Sequence, residues 1–281
     1  MLLEPLGYAF FVRAIVASVL VSTVCAIVGT YVVLRGIAFL GDAISHAAFP
    51  GVVVAYMLGI PFYLGAAVAA LVTALAIGYV SKRGELRQDT AIGVLFAGAF
   101  ALGVFLFSTI KGYVADLFSF LFGNVLAISP SDLVVLVLLG VGVLAVVAVL
   151  WKELLYATFD PFGAAASGIP VDRLEYLFLA LVALTIVVSL QAVGIILVVA
   201  MLITPAATAQ LLTARFTRLM LTAAAIGVAT AVAGLYLSYW LDVASGATIV
   251  LVQTAVFACA LVYRGVAHRR APQSTLAGVD A

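Results

Sequence analysis

Apolar residues run almost without interruption along this chain, and polar positions gather in short clusters between the runs. Cutting at charges and at Gly, Pro, Asn and Asp clusters leaves apolar stretches near 10–34, 43–60, 62–80, 90–109, 131–151, 174–190, 193–213, 219–239 and 247–264. A helix needs about 20 residues to cross hydrocarbon, so the pattern predicts an all-α, polytopic membrane bundle of about nine transmembrane helices. Two breaks are weakly marked. Gly59-Ile60-Pro61 and Gln191-Ala192-Val193-Gly194 carry no charge, and each reads either as a tight hairpin or as a kink within a longer helix, which leaves about eight spans as the alternative. The membrane part is expected over 1–264, followed by a polar, disordered tail over 265–281. Tyr113 to Ser129 is partly apolar but short and interrupted, which suits a re-entrant or interfacial helix or a plain surface loop.

Composition supports the same picture. Of 281 residues, 67% are apolar and 9% charged, with mean hydropathy +1.34. Ordinary globular chains carry roughly a quarter charged residues, so most side chains here must face lipid or one another. A net charge of +1 offers no clustered basic face for nucleic acid. The start, with Glu4 before its apolar run and no A-x-A-like site, reads as a retained span and not a removed signal peptide. Cys25 and Cys259 lie in apolar runs far apart and read as small packing residues.

Charge placement sets an expected orientation. With nine spans and the C-terminus inside, Arg35, Lys82, Arg83, Arg87, Lys152, Arg173, Arg215, Arg218, Arg264, Arg269 and Arg270 fall on the cytoplasmic side, and only Arg13 and Lys111 fall outside. Cytoplasmic loops retain Lys and Arg, so the N-terminus is expected outside and the C-terminus in the cytoplasm.

Chemistry concentrates in Arg35-Gly-Ile-Ala-Phe-Leu-Gly-Asp42-Ala-Ile-Ser45-His46. Residues four apart share a helix face, so the Asp42 carboxylate and His46 imidazole can converge on one point with the Ser45 hydroxyl beside them. Ionisable groups within a bilayer are costly and mark ion sites by default, and carboxylate with imidazole suits manganese, iron or zinc. A plain structural alternative stands beside this: Asp42 as a helix N-cap and His46 satisfied by a neighbouring helix. Two ligands do not make a complete site.

The segment VVLRGIAFLGDAISHAAFPG closely resembles the signature of the ABC-type manganese/zinc/iron permease family, and VVSLQAVGIILVVAMLITPAATAQLL and GLYLSYWLDVASGATIVLVQTAVF match it as well. The resemblance covers nearly the whole chain. It implies a type II ABC importer-like fold lacking the first helix of the larger metal-chelate and vitamin importers. It also implies a homodimer of permeases, two cytoplasmic ATPase subunits and an extracytoplasmic metal-binding protein. Asp42 and His46 become the expected metal ligands, the metal being cargo and not a cofactor. The Pro50-Gly51 ending of the first motif looks more like manganese-type members.

The longest polar connection, Trp151 to Glu175, carries a predicted short helix between Pro161 and Gly168, because proline suits a first helical position and glycine the place just past the end. The loop over 158–170 resembles the coupling helix of ABC importers, which assigns Asp160, Pro161, Ala164, Ala165 and Gly168 to ATPase docking. Phe162 stands where family members often carry an acidic residue, which touches one polar contact and not the docking surface. An ordinary linker is the alternative. Pro205 predicts a kink. Gln191, Gln210 and Gln253 read as interhelical hydrogen-bond partners, and His268 as solvated. Tyr236, Tyr239 and Trp240 mark an external belt, and Asp242 beside them is either a loop turn or a contact for the metal-delivering partner.

Two other functions compete. A gradient-driven secondary metal transporter needs coupling carboxylates in its spans, and Asp42 is the clear candidate. An intramembrane metalloprotease is disfavoured because H-E-x-x-H is absent. The chain also lacks G-x-x-x-x-G-K-[ST], so ATP hydrolysis by that loop would belong to a separate subunit.

Overall fold

The computed structural model describes residues 4–84, 86–110 and 125–270. After a 3-10 turn at Pro5–Gly7 come α1 (Ala9–Leu34), α2 (Phe39–Ala47), α3 (Phe49–Leu58), α4 (Phe62–Arg83) and α5 (Gln88–Ser108). A second turn at Val125–Ala127 precedes α6 (Pro130–Val149), α7 (Trp151–Phe159), α8 (Pro161–Ala166), α9 (Val171–Leu212), α10 (Phe216–Leu241) and α11 (Ser245–Arg270). Among the described residues, eight segments are long and apolar enough to span a membrane, with α2 and α3 counted together as Phe39–Leu58. A further apolar stretch, Leu197–Leu212, is shorter.

The centre of the bundle is α1, which is apolar on every side and packs against α9 and α10. A helix without a polar stripe has to be surrounded, and Phe11, Cys25, Tyr31 and Val32 are fully buried. Close approach to α9 is built in: a methyl group on Gly29 would overlap the Leu202 carbonyl oxygen. The helix stops at a Schellman turn, in which Gly36 N–H donates to the Val33 carbonyl and Ile37 N–H to the Val32 carbonyl. Gly36 stands there at φ +71°, in the left-handed region that glycine enters without cost from a Cβ.

Both weakly marked breaks are reversals. Gly59-Ile60-Pro61 separates α3 from α4, whose backbones cross where Gly51 and Gly65 meet. The second break lies inside α9. Tyr31 packs against Phe178 near the start of α9 (centroids 6.2 Å apart) and against Phe216 just past its end (5.2 Å). A straight helix would hold those two residues on the order of 50 Å apart, so α9 folds back on itself. The turn is at Gly194, with φ 78° and ψ 169°, a region almost confined to glycine. The two halves thus cross in opposite senses, and the count of about nine spans stands.

Three details differ from the sequence reading. The span expected from residue 43 begins at Phe39 and is interrupted at Ala48. The connection after Trp151 starts with the helix α7 instead of a loop, because Leu154 is fully buried and anchors it to the bundle. The last helix runs through Arg270, six residues past the expected end of the membrane part at 264; residues 271–281 lie outside the described residues. Most of the expected re-entrant segment, through Asn124, also lies outside them.

The two ends of the bundle differ in chemistry. One end collects Arg35, Lys82, Asp172 and Glu175 with α7 and α8, and Lys82 Nζ bridges Asp172 (2.7 Å) and Glu175 (3.0 Å). The other end is aromatic: Phe11 packs edge-on against Tyr236 and Tyr239, and Tyr239 against Trp240. Tyrosine and tryptophan gather where an apolar body meets a wet rim.

Candidate functional site

The nine-residue helix α2 is strongly two-faced. Leu40, Gly41, Ala43, Ile44 and Ala47 are buried, whereas Phe39, Asp42 and His46 lie on the opposite, open side. Burial of the small face depends on Gly41, where an added methyl would stand 2.8 Å from Leu202 Cδ2. The Leu202 backbone also lies against Gly29 of α1, so α1, α2 and the second half of α9 meet there.

The structure brings Asp42 and His46 together as the spacing requires. His46 Nε2 stands 3.5 Å from Asp42 Oδ1, with the side chains 32% and 36% exposed. Two donors about 2.1 Å from one ion at a tetrahedral angle stand about 3.4 Å from each other, so the pair can hold a single cation with little movement. Asp42 is not the N-cap: Ala38 stands there, and Asp42 lies in the first turn of the helix. His46 packs against the rings of Phe96 (5.7 Å) and Phe100 (5.5 Å) of the neighbouring helix α5 and its side chain stays partly exposed, as either reading of that residue allows. Ser45 does not join the pair: its hydroxyl is buried and donates to the Gly41 and Asp42 carbonyls. Among the described residues no cluster of three or more His, Cys, Asp or Glu forms. Among the described residues, then, Asp42 and His46 are the pair placed to hold a cation together.

The second set of residues forms α8. Asp160 caps it, its Oδ1 accepting from Gly163 N–H at 2.8 Å, and Pro161 takes the first helical position. The helix ends at Ala166, two residues earlier than the predicted glycine boundary, and Gly168 follows at φ +84°. Ala164 is fully buried against the bundle, Ala165 is exposed and Phe162 is 87% exposed. A large apolar ring held in the open on a capped turn suits a partner surface.

Between these sets stands Arg35, which the charge count treats only as a loop cation. Its Nε donates to Thr158 Oγ1 of α7 at 3.1 Å, and its guanidinium lies 4.1 Å from the centroid of the Phe178 ring. Burial pulls the guanidinium down from its ordinary value, with the Glu175 carboxylate and Tyr31 opposing that shift; arginine stays charged throughout. Only its position at the end of an apolar run hints at this in the sequence.

The remaining sequence candidates separate. Pro205 lies inside the second half of α9. Gln253 is buried but makes no hydrogen bond among the described residues, contrary to the expected interhelical bond. Gln210 is exposed, and the Gln191 and His268 side chains lie outside those described. Asp242 ends α10 in a left-handed turn at φ 52°, in keeping with the loop-turn reading.

A polytopic helical bundle carrying a carboxylate and imidazole inside a span is a membrane transport protein in architecture. Residues 7–264 match the model of the ABC 3 transport family, and the chain belongs to that family. It is 50% identical over 260 residues to the manganese transport system membrane protein MntC of Halalkalibacterium halodurans, covering 92% of this chain and 89% of that one. The chelated iron transport system membrane protein YfeD of Yersinia pestis is 43% identical over 260 residues, covering 92% and 87%. In structure the chain is similar to PsaBC from Streptococcus pneumoniae in complex with Fab, with a TM-score of 0.82, 37% identity and coverage of 93% and 95%.

Proposed function

We propose that the chain is the permease subunit of an ATP-driven importer that moves a divalent transition metal, manganese foremost, across the cytoplasmic membrane. Asp42 and His46 act as transient ligands on the path. The observation that carries this is the 3.5 Å approach of His46 Nε2 to Asp42 Oδ1 on the open face of a spanning segment. Ionisable groups within membrane spans are costly, and for Asp42, in the first turn of the Phe39–Leu58 span, an ion or a water-filled path offsets that cost. Carboxylate with imidazole accepts manganese, iron and zinc alike. The manganese system that the MntC relative is named for, and the Pro50-Gly51 ending of the motif, favour manganese over the iron named for the YfeD relative.

Assembly follows from what one chain leaves open. Two donors per chain suit a homodimer in which the pairs face each other and supply four. The exposed Phe162 on the capped α8 suits docking of a separate ATPase, with Asp160, Pro161, Ala164, Ala165 and Gly168 shaping the surface. Arg35, Lys82, Arg83 and Arg87, at or next to the end that carries α8, support a cytoplasmic placement of that end. The N-terminus and the aromatic end then face outward, where Asp242 is available to a metal-delivering binding protein.

Uptake of manganese at limiting concentration tests the reading. Asp42→Asn keeps size and hydrogen bonding but removes the charge, and His46→Ala removes the imidazole donor. Each is expected to lower uptake by well over about tenfold while the subunits still assemble, since each removes a group worth more than about 1.4 kcal/mol to a partly desolvated ion. Wild-type uptake by both variants, or uptake by this chain alone driven by an ion gradient, would sink it.

A further inference from the structure

The two residues immediately before the α8 cap, Thr158 and Phe159, both bear on the last turn of α1. Thr158 accepts the Arg35 Nε–H at 3.1 Å and is itself fixed by donating to the Leu154 carbonyl at 2.7 Å. Phe159 packs edge-on against Phe216 (6.1 Å), and Phe216 against Tyr31 (5.2 Å). Arg35 is also held from the far side by the Phe178 ring of α9.

Beyond Arg35 the chain turns at Gly36. Gly36 is exposed, left-handed, and has nothing within 4 Å of where a Cβ would stand. Phe39 opens α2 three residues later, and α2 ends again at Ala48. The ligand helix therefore starts four residues past Arg35, which ends the helix α1 that packs against α9 and α10.

We propose that Arg35 is a positioning residue that couples α8 to the Asp42–His46 pair. Its Thr158 and Phe178 contacts hold the α1–α2 turn in register with the docking helix, so that displacement of α8 by an ATPase re-aims α2 and both ligands. The inference rests on the function proposed above. Lysine cannot take over this task, because a point charge lacks the planar fork that donates through Nε while stacking on a ring.

The test uses the full transporter, this chain with its ATPase and binding protein in proteoliposomes supplied with Mn2+ and ATP, and counts ions imported per ATP hydrolysed. Arg35→Lys and Thr158→Val are each expected to lower that ratio by about fivefold or more, as loss of a hydrogen bond to a charged group implies. Thr158→Ser, which keeps the acceptor, stays within about twofold of wild type, and Arg35→Lys/Thr158→Val falls no further than the worse single variant. An unchanged ratio in both single variants, a Thr158→Ser loss equal to that of Thr158→Val, or fully additive losses would each overturn the inference. Import by the wild type and its loss in Asp42→Asn keep the proposed function standing whichever way the Arg35 variants fall. Absence of that pattern overturns the function itself.

Discussion

Replacing Asp160 by alanine removes the side chain that starts α8 and leaves its first turn without the 2.8 Å bond to Gly163 N–H. Loss of such a cap costs about 1 kcal/mol. A helix of this length is not stable in water on its own, so the remaining supports matter. They are the Ile169 N–H bond to the Ala164 carbonyl (3.1 Å), the Gly168 N–H bond to Ala165 (3.0 Å) and the buried Ala164 methyl. If an ATPase docks only on the formed turn, about 1 kcal/mol weakens each contact about fivefold, and about 25-fold where two copies must dock together. Titrating the ATPase subunit onto the purified chain by fluorescence anisotropy measures this. Asp160→Asn should restore most of the affinity, because asparagine caps as well as aspartate without its charge. Wild-type affinity in Asp160→Ala would show that docking does not need the capped turn, and an Asp160→Asn loss equal to that of alanine would show that the carboxylate touches the partner directly.

Two further outcomes are expected. Gly194→Ala places a Cβ in a region almost confined to glycine, which costs about 1–3 kcal/mol, so thermal unfolding in detergent should shift down clearly; an unshifted transition would refute the reversal at that residue. A cysteine at Ser274, in a chain with Cys25 and Cys259 replaced by alanine, should resist a membrane-impermeant maleimide in intact cells and react after lysis, and labelling from outside would reverse the proposed orientation.

The span count, the composition and the Asp42–His46 pairing were legible in the sequence because each depends on local pattern: run length, charge placement and an i, i+4 spacing. What escaped depends on contacts between distant segments. Ser45 stands beside the pair by spacing, but its hydroxyl is spent on its own helix carbonyls. Trp151 to Phe159 reads as a polar connection, and it is helical because one residue, Leu154, reaches the core. Arg35 counts as one loop cation among many until Thr158 and Phe178, more than 120 residues away, are brought to it. The resemblance placed α8, and the structure added the capping geometry that proline and glycine positions only suggest.

A site built for storage and a site built for passage make opposite demands on geometry. A storing site closes its shell with four or more protein donors from rigid elements, whereas a conducting site must replace part of the hydration and then release the ion. Here one chain offers two donors from a helix of nine residues, with the rings of Phe96 and Phe100 beside them instead of further ligands. In the proposed site those rings would exclude water from one side of the ion without binding it, so its affinity would rest on the pair and on whatever faces it. α2 packs against α9 through Gly41 and against α5 through Phe39 and His46, so in the proposed dimer the placement of the two chains sets whether their pairs face each other. On that proposal an ion is held while four donors converge and released when they part, which would place control of affinity in how the pairs face each other and not in the chemistry of the ligands.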